Sequence, residues 1–342
     1  QAPGELAKVL AKAGTTTIIA DPHEIVNVSG TKGMDYFLKC AAKLLVNVFF
    51  MVPSAVPATD VETNGCGEFL ASDMMKYVDN ARVLGLGETM RFMECCEGEK
   101  RMADKLELFA KKHIDGHAPG IRGKEVQAYR LAGVENDHEC STAEEVLDKL
   151  RAGLHIYVRE GSGAKNLETL IKTMLDAGVC LDRCAFCTDD KHVEEIRKEG
   201  HISTCIRKAI ALGVPVAKAY KMGSYQAAEF YGLKNYGAIG AGYRADIVFL
   251  DDLEQVRPLD VMKDGRILTE EDYAKDYSVP VPDELLHTVH VGEVTKEKIR
   301  LSCDGKTDVI QMNPHQIVTT HLVEEVPTEN GYFKSDGVYN KI

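Results

Sequence analysis

Glu88, His117 and His138 are residues in this chain whose types suit metal chemistry, and each stands at the expected carboxyl end of a different strand. A carboxylate can bridge two divalent cations while imidazoles fill the flanking positions, and such a centre lowers the pKa of a water toward neutrality. Asp189, after the run Cys184-Ala185-Phe186-Cys187-Thr188, completes the set. It can bind a cation and accept a proton from an attacking water, provided that it lies within hydrogen-bond reach. The chemistry this pattern points to is metal-assisted hydrolysis.

Side chains so far apart in sequence need a scaffold that gathers them. Seven apolar runs end in polar clusters, beginning with Thr17–Ala20 into Asp21-Pro22-His23-Glu24 and Val48–Val52 into Pro53-Ser54. Val83–Gly87 leads into Glu88, His113–Gly116 into His117, and Gly133–Asn136 into Asp137-His138-Glu139. The last two are His155–Val158 into Arg159-Glu160-Gly161-Ser162 and Cys184–Thr188 into Asp189-Asp190. Function gathered at one end of every strand is the pattern of a β/α barrel. Helical spacing is expected between the runs: Gly4–Gly14, Met34–Leu45, Gly67–Val78, Ala103–Lys111, Gly123–Leu131, Asn166–Ala177, Val193–Leu212 and Ala219–Tyr231. Ser141 with Glu144 three residues on reads as a capping box for a helix running to about Arg151.

The expected fold class is therefore α/β, a (β/α)8 TIM-type barrel lacking its first strand, with a small appended β domain. Residues 1–235 are assigned to the barrel and residues 236–342 to the β domain, whose start is marked by Gly237–Leu250 and by a hairpin turning at Asp264-Gly265. Because a helix already stands at the first residues, the missing strand is expected upstream of Gln1, and the second domain is expected to be cut short after Met312-Asn313-Pro314.

Composition sets the outer bounds. With 342 residues, 44% of them hydrophobic and 27% charged, the chain can bury a large core. A net charge of −12 argues against a nucleic-acid partner, which needs clustered Lys and Arg. No apolar stretch is long enough to span a membrane and the start lacks a signal peptide, so a cytoplasmic protein is expected. Ten irregularly spaced cysteines read as buried thiols, with a zinc site at Cys180, Cys184 and Cys187 as the lesser alternative.

The residues also resemble a known family, the adenine deaminases of the amidohydrolase superfamily. The resemblance is carried by Ala13-Gly14-Thr15-Thr16-Thr17, Asp21-Pro22-His23-Glu24-Ile25, Phe50-Met51-Val52-Pro53-Ser54, Gly85-Leu86-Gly87-Glu88, Asp115-Gly116-His117-Ala118-Pro119 and Asp137-His138-Glu139. It continues through Arg159-Glu160-Gly161-Ser162, Cys187-Thr188-Asp189-Asp190 and Gly242–Val248, so it spans nearly the whole chain.

The resemblance implies hydrolytic deamination of adenine to hypoxanthine and ammonia by two divalent metal ions, manganese or iron, with zinc also compatible with such ligands. It implies Glu88 as the bridging carboxylate, His117 and His138 on one metal, and Asp189 on the other as proton shuttle. Asp21, His23, Glu24 and Glu139 are expected as accessory contacts, and Arg159, Glu160 and Ser162 as readers of the purine edge. The expected partners are adenine and water, with self-association into a homo-oligomer left open. One departure matters: the family carries a His-x-His pair on its first strand, and none occurs in these residues. This chain alone is therefore expected to bind metal weakly and turn over little. Two alternatives stand beside this reading, an amidohydrolase acting on a cyclic amide and a non-catalytic barrel scaffold.

Overall fold

The fold is that of a computed structural model, described for residues 2–337; residue 1 and residues 338–342, the outermost ends of the two expected domains, lie outside the described residues. Its working part is a series of seven parallel strands in chain order: β1 (Thr17–Ala20), β2 (Asn47–Val52), β3 (Val83–Thr89), β4 (His113–Gly116), β5 (Asn136–Asp137), β6 (His155–Arg159) and β7 (Cys184–Cys187). Strands β1 to β4 form one sheet and β5 to β7 a second. The sheets adjoin at β4 and β5, where Glu135 N donates to Ile114 O at 3.0 Å. Parallel neighbours need a crossover, and helices supply each one.

Those helices are α1 (Pro3–Lys12), α2 (His23–Ser29), α3 (Thr31–Ala41), α4 (Ala71–Met74), α5 (Phe92–Glu97), α6 (Lys100–Leu108), α7 (Lys124–Leu131), α8 (Ala143–Arg151) and α9 (Leu167–Asp176). After β7 come α10 (Val193–Glu199), α11 (Ile202–Ala211), α12 (Val216–Gly223) and α13 (Tyr225–Phe230). Strand alternation decides what each side chain meets. Ile156 and Val158 of β6, with Cys184 and Phe186 of β7, pack outward against Leu170, Ile171 and Ile206. Tyr157 and Ala185 turn to the opposite face, where they meet Met51 and Tyr231. Phe50 and Val52 of β2, Leu86 of β3 and Ile114 of β4 pack likewise under Leu10, Met34, Met102 and Phe109. Being covered on the helix side, these strands read as apolar runs.

Several expected elements are corrected. The Val193–Leu212 periodicity divides into α10 and α11, because Gly200 adopts φ 95° and stops the first helix. The stretch Ala219–Tyr231 breaks similarly at Ser224. The expected helix over Gly67–Val78 shrinks to α4 and one 3-10 turn. Thr142 and Glu145 form the capping box of α8, one residue beyond the expected pair, with Glu145 N donating to Thr142 Oγ1. In place of Gly133–Asn136 the fifth strand pairs only at Asn136–Asp137, after a turn at Gly133 with φ 106°. Helices α2 and α5 were not expected at all.

Beyond the parallel strands, β8 (Ile247–Leu250), β9 (Pro258–Lys263) and β10 (Arg266–Ile267) form an antiparallel sheet, and the turn at Asp264-Gly265 has φ 51° and 81°. Its Val261 belongs to the same apolar cluster as Leu10 of α1. All ten cysteines are free thiols, and Cys180 is exposed. No helix among the described residues is long and apolar enough to cross a membrane.

Candidate metal centre

The carboxyl ends of β1, β3, β4, β5, β6 and β7 converge on one place, and Glu88 lies at its middle. Glu88 Oε2 is 2.5 Å from His117 Nδ1 and 3.2 Å from His138 Nε2, while Oε1 is 3.0 Å from His23 Nδ1. Three imidazoles thus surround one buried carboxylate. Burial opposes the charge on Glu88, but these rings hold its carboxyl well below the ordinary range. Burial works against protonation of His138 too, and Glu139 and Glu88 outweigh it, raising its pKa. His23 follows the same logic: burial lowers it, Asp21 and Glu88 raise it, and it ends at about 12.

Two further groups join the centre. Glu139 Oε1 is 3.2 Å from His138 Nε2 and 3.7 Å from His117 Nδ1, and it pairs with Arg159 Nη1. The same Arg159 nitrogen donates to Asp189 Oδ2 at 2.8 Å. Asp189 itself has φ 50°, a left-handed conformation uncommon outside glycine. Asp21 Oδ2 accepts from Glu88 N at 2.8 Å, so the end of β1 holds the backbone of β3 in place.

Cations fit this donor set. Atoms of Glu88, His117 and His138 lie within 4.8 Å of one another, and so do those of Asp21, His23 and Glu88, and of His138, Glu139 and Asp189. Buried carboxylate oxygens Asp21 Oδ1 and Glu139 Oε2 have no hydrogen-bond donor, which a bound cation would correct. Imidazole and carboxylate donors together suit first-row divalent metals. The centre opens onto a cleft of about 1710 Å³ lined by Asp21, His23, Glu88, Asp115, His138 and Asp189, among others.

Not every residue singled out in the sequence arrives here. Glu24 lines the cleft but is exposed, its Oε1 3.9 Å from His23 Nε2. Glu160 is buried against Lys208 of α11 at 2.5 Å, and Ser162 Oγ donates to Glu195 at 2.6 Å while accepting from His192 N. Asp115 belongs to the Asp115–Pro119 motif. It faces the cleft, accepting from Tyr231 Oη at 2.7 Å and Asn136 Nδ2 at 2.5 Å, and burial pushes its carboxyl up to about 6 despite them. The signal for it was strand alternation, since Ile114 faces the helices and Asp115 must then face inward. Asp137 and Lys149, a fully buried pair 3.0 Å apart, were also missed. Their pairing leaves no motif.

Known proteins resemble this chain in sequence and in fold. The amidohydrolase family model matches residues 1–268. The adenine deaminase of Desulfitobacterium hafniense strain Y51 is 42% identical over the whole chain, and that of Clostridium acetobutylicum is 41% identical over 99% of it. In each case the match takes in 60% of the relative, so the chain spans about three fifths of the length of these curated relatives. A crystal structure of an adenine deaminase superposes with a TM-score of 0.54 at 17% identity, covering 76% of this chain and 80% of the other. At that identity the likeness concerns the fold.

Proposed function

Because the chain belongs to the amidohydrolase family, we propose that the protein catalyses metal-assisted hydrolytic deamination of adenine to hypoxanthine and ammonia. The observation that carries this reading is the buried Glu88 carboxylate enclosed by His23, His117 and His138. The substrate is taken from the 42% and 41% identity to proteins named adenine deaminase.

Glu88, His117, His138 and Asp189 would hold the divalent cations; manganese or iron fits these donors, and zinc is also compatible. Bound there, the ions supply Lewis-acid polarisation that lowers the pKa of water toward neutrality. The remaining work falls to side chains. Asp189 accepts the proton of the water that attacks C6 of the purine and returns it to the departing amino nitrogen. Water oxygen is gained at C6, one water proton leaves with the exocyclic amine as ammonia, and the other ends on N1 of hypoxanthine. Arg159 donates to Asp189 Oδ2 and so orients that carboxylate. Arg159 is also the member of the expected purine-reading group whose charge reaches the centre; its buried Nε and Nη2 have no hydrogen-bond partner. Asp21 steadies Glu88 through the Glu88 amide.

The scaffold for this chemistry is proposed as a (β/α)8 barrel to which residues 1–235 contribute seven strands, with residues 236–342 in a separate β domain. Among the described residues β1 pairs only with β2 and β7 only with β6, and both free edges border the same cleft. One more strand, joining β1 to β7, would close the ring. A scaffold role is tested against catalysis by following adenine loss in the ultraviolet for the manganese-loaded whole protein and its Glu88→Gln variant. Turnover that the substitution abolishes is expected. Equal turnover in both would remove Glu88 from the mechanism.

A further inference from the structure

Helix α8 turns two ionisable side chains inward on a face that is otherwise apolar. Glu145 and Lys149, one turn apart, are 3% and 0% exposed, and Val146 beside them is fully buried. Helices packed on sheets ordinarily present aliphatic side chains there, and a buried charge is tolerated only when paired and hydrogen-bonded. Lys149 is paired with Asp137, and both Glu145 and Lys149 are hydrogen-bonded, through segments that flank the two histidines of the centre. Lys149 Nζ donates to Ala118 O at 2.7 Å and to Asp137 Oδ1 at 3.0 Å. Asp137 in turn accepts from Ala118 N on Oδ2 and from Glu139 N on Oδ1, both at 2.8 Å. Glu145 accepts from Gly120 N on one oxygen, and on the other from the amides and hydroxyls of Ser141 and Thr142 at 2.9 to 3.0 Å.

Consequently the backbone just after His117 and the backbone on both sides of His138 are tied to a single helix. Neither lysine nor glutamate touches the centre itself. The two rings they govern stand 5.3 Å apart between centroids, at 79° to one another. We propose that Glu145 and Lys149 of α8, acting with Asp137, form a buried polar clamp that sets the spacing of His117 and His138 and thereby the affinity of the centre for a divalent cation. This rests on the assignment of those two histidines as ligands. They are positioning residues, and the sequence records them only as an i, i+4 pair of opposite charge, which ordinarily marks a solvated face.

The test is manganese binding to the 342-residue chain, read from the electron paramagnetic resonance of free Mn(II), in wild type, His138→Ala, Lys149→Met and Val146→Ala. Groups that orient ligands typically change metal affinity by about 10- to 100-fold, so Lys149→Met should weaken binding by about tenfold or more while circular dichroism stays native. Val146→Ala, buried on the same helix, should lower thermal stability and leave affinity unchanged. That contrast separates positioning from mere support of the helix. Should Lys149→Met fail to fold, Glu145→Gln carries the same expectation. Loss of affinity in His138→Ala together with wild-type affinity in a folded clamp variant overturns the clamp alone. Equal affinity in wild type and His138→Ala overturns the ligand assignment, and the clamp with it; weakening by Val146→Ala as great as by Lys149→Met also overturns the clamp.

Discussion

Replacing Gly87 with alanine tests whether β1 and β3 are locked together as closely as the site requires. Gly87 is not among the residues with positive φ, so alanine meets no backbone penalty there and any cost is steric. A Cβ at this position would lie 2.0 Å from Asp21 Oδ2, 2.7 Å from Asp21 Cγ and 3.0 Å from Val52 O. Val52 belongs to the β2 backbone paired with β3, so the side that yields is the Asp21 carboxylate. Its movement breaks the 2.8 Å bond from Glu88 N. A hydrogen bond to a charged group contributes about 1.5–3 kcal/mol. Overpacking adds about 1–3 kcal/mol. The stiffer unfolded chain offsets about 0.4–1 kcal/mol of that. A net destabilisation of roughly 2–5 kcal/mol follows. Urea unfolding followed by circular dichroism measures it, with Gly163→Ala as control, because nothing lies within 4 Å of a Cβ there. The control should stay within about 0.5 kcal/mol of wild type. If Gly87→Ala does the same, the reasoning about this contact is refuted.

Other outcomes follow from the same structure. Asp189→Asn in the manganese-loaded whole protein should remove most turnover and leave the circular dichroism spectrum unchanged; wild-type rates would sink its proton role. His201 is buried between Thr15 Oγ1 at 3.0 Å and Thr188 Oγ1 at 2.9 Å, and burial brings its pKa down from 6.5 to about 3. A histidine depressed in the folded state contributes fully above pH 6.5 and loses that contribution as pH falls toward 3, because only the unfolded chain takes up the proton. Wild type should therefore lose about 1.4 kcal/mol per pH unit more than His201→Gln across that window, and parallel slopes in urea titrations would contradict the assignment. Manganese should raise the melting temperature of the wild-type chain by preferential binding to the folded state, and raise that of Glu88→Gln less. Equal shifts in thermal scans would place the ion elsewhere.

What the sequence disclosed of this molecule was its strand ends. A run halted by a cluster of ionisable residues is a local signal, and Glu88, His117 and His138 could be placed by it without any knowledge of their neighbours. The break between α10 and α11 was hidden because the periodicity from Val193 to Leu212 continues through it; what stops the helix is Gly200, and what fixes His201 beyond it is Thr15, 186 residues away. The capping box of α8 was misplaced by one residue because Ser141/Glu144 and Thr142/Glu145 satisfy the same pattern, and only the burial of Glu145 distinguishes them. Glu160 and Ser162 follow a strand that ends at the site, yet the chain turns them toward Lys208 and Glu195. Which way a loop turns after the last paired residue depends on partners distant in sequence. Lys149 with Asp137 shows the same limit, since twelve residues separate them and only Asp137 stands in a motif, with nothing there to point to Lys149.

Hydrolysis of adenine is the central claim, and the most direct measurement is mass spectrometry of the purine product formed in ¹⁸O-labelled water by the manganese-loaded whole protein. The account predicts hypoxanthine carrying one ¹⁸O per molecule, with an equal amount of ammonia. Manganese bound and adenine unchanged, or hypoxanthine without the label, would contradict it.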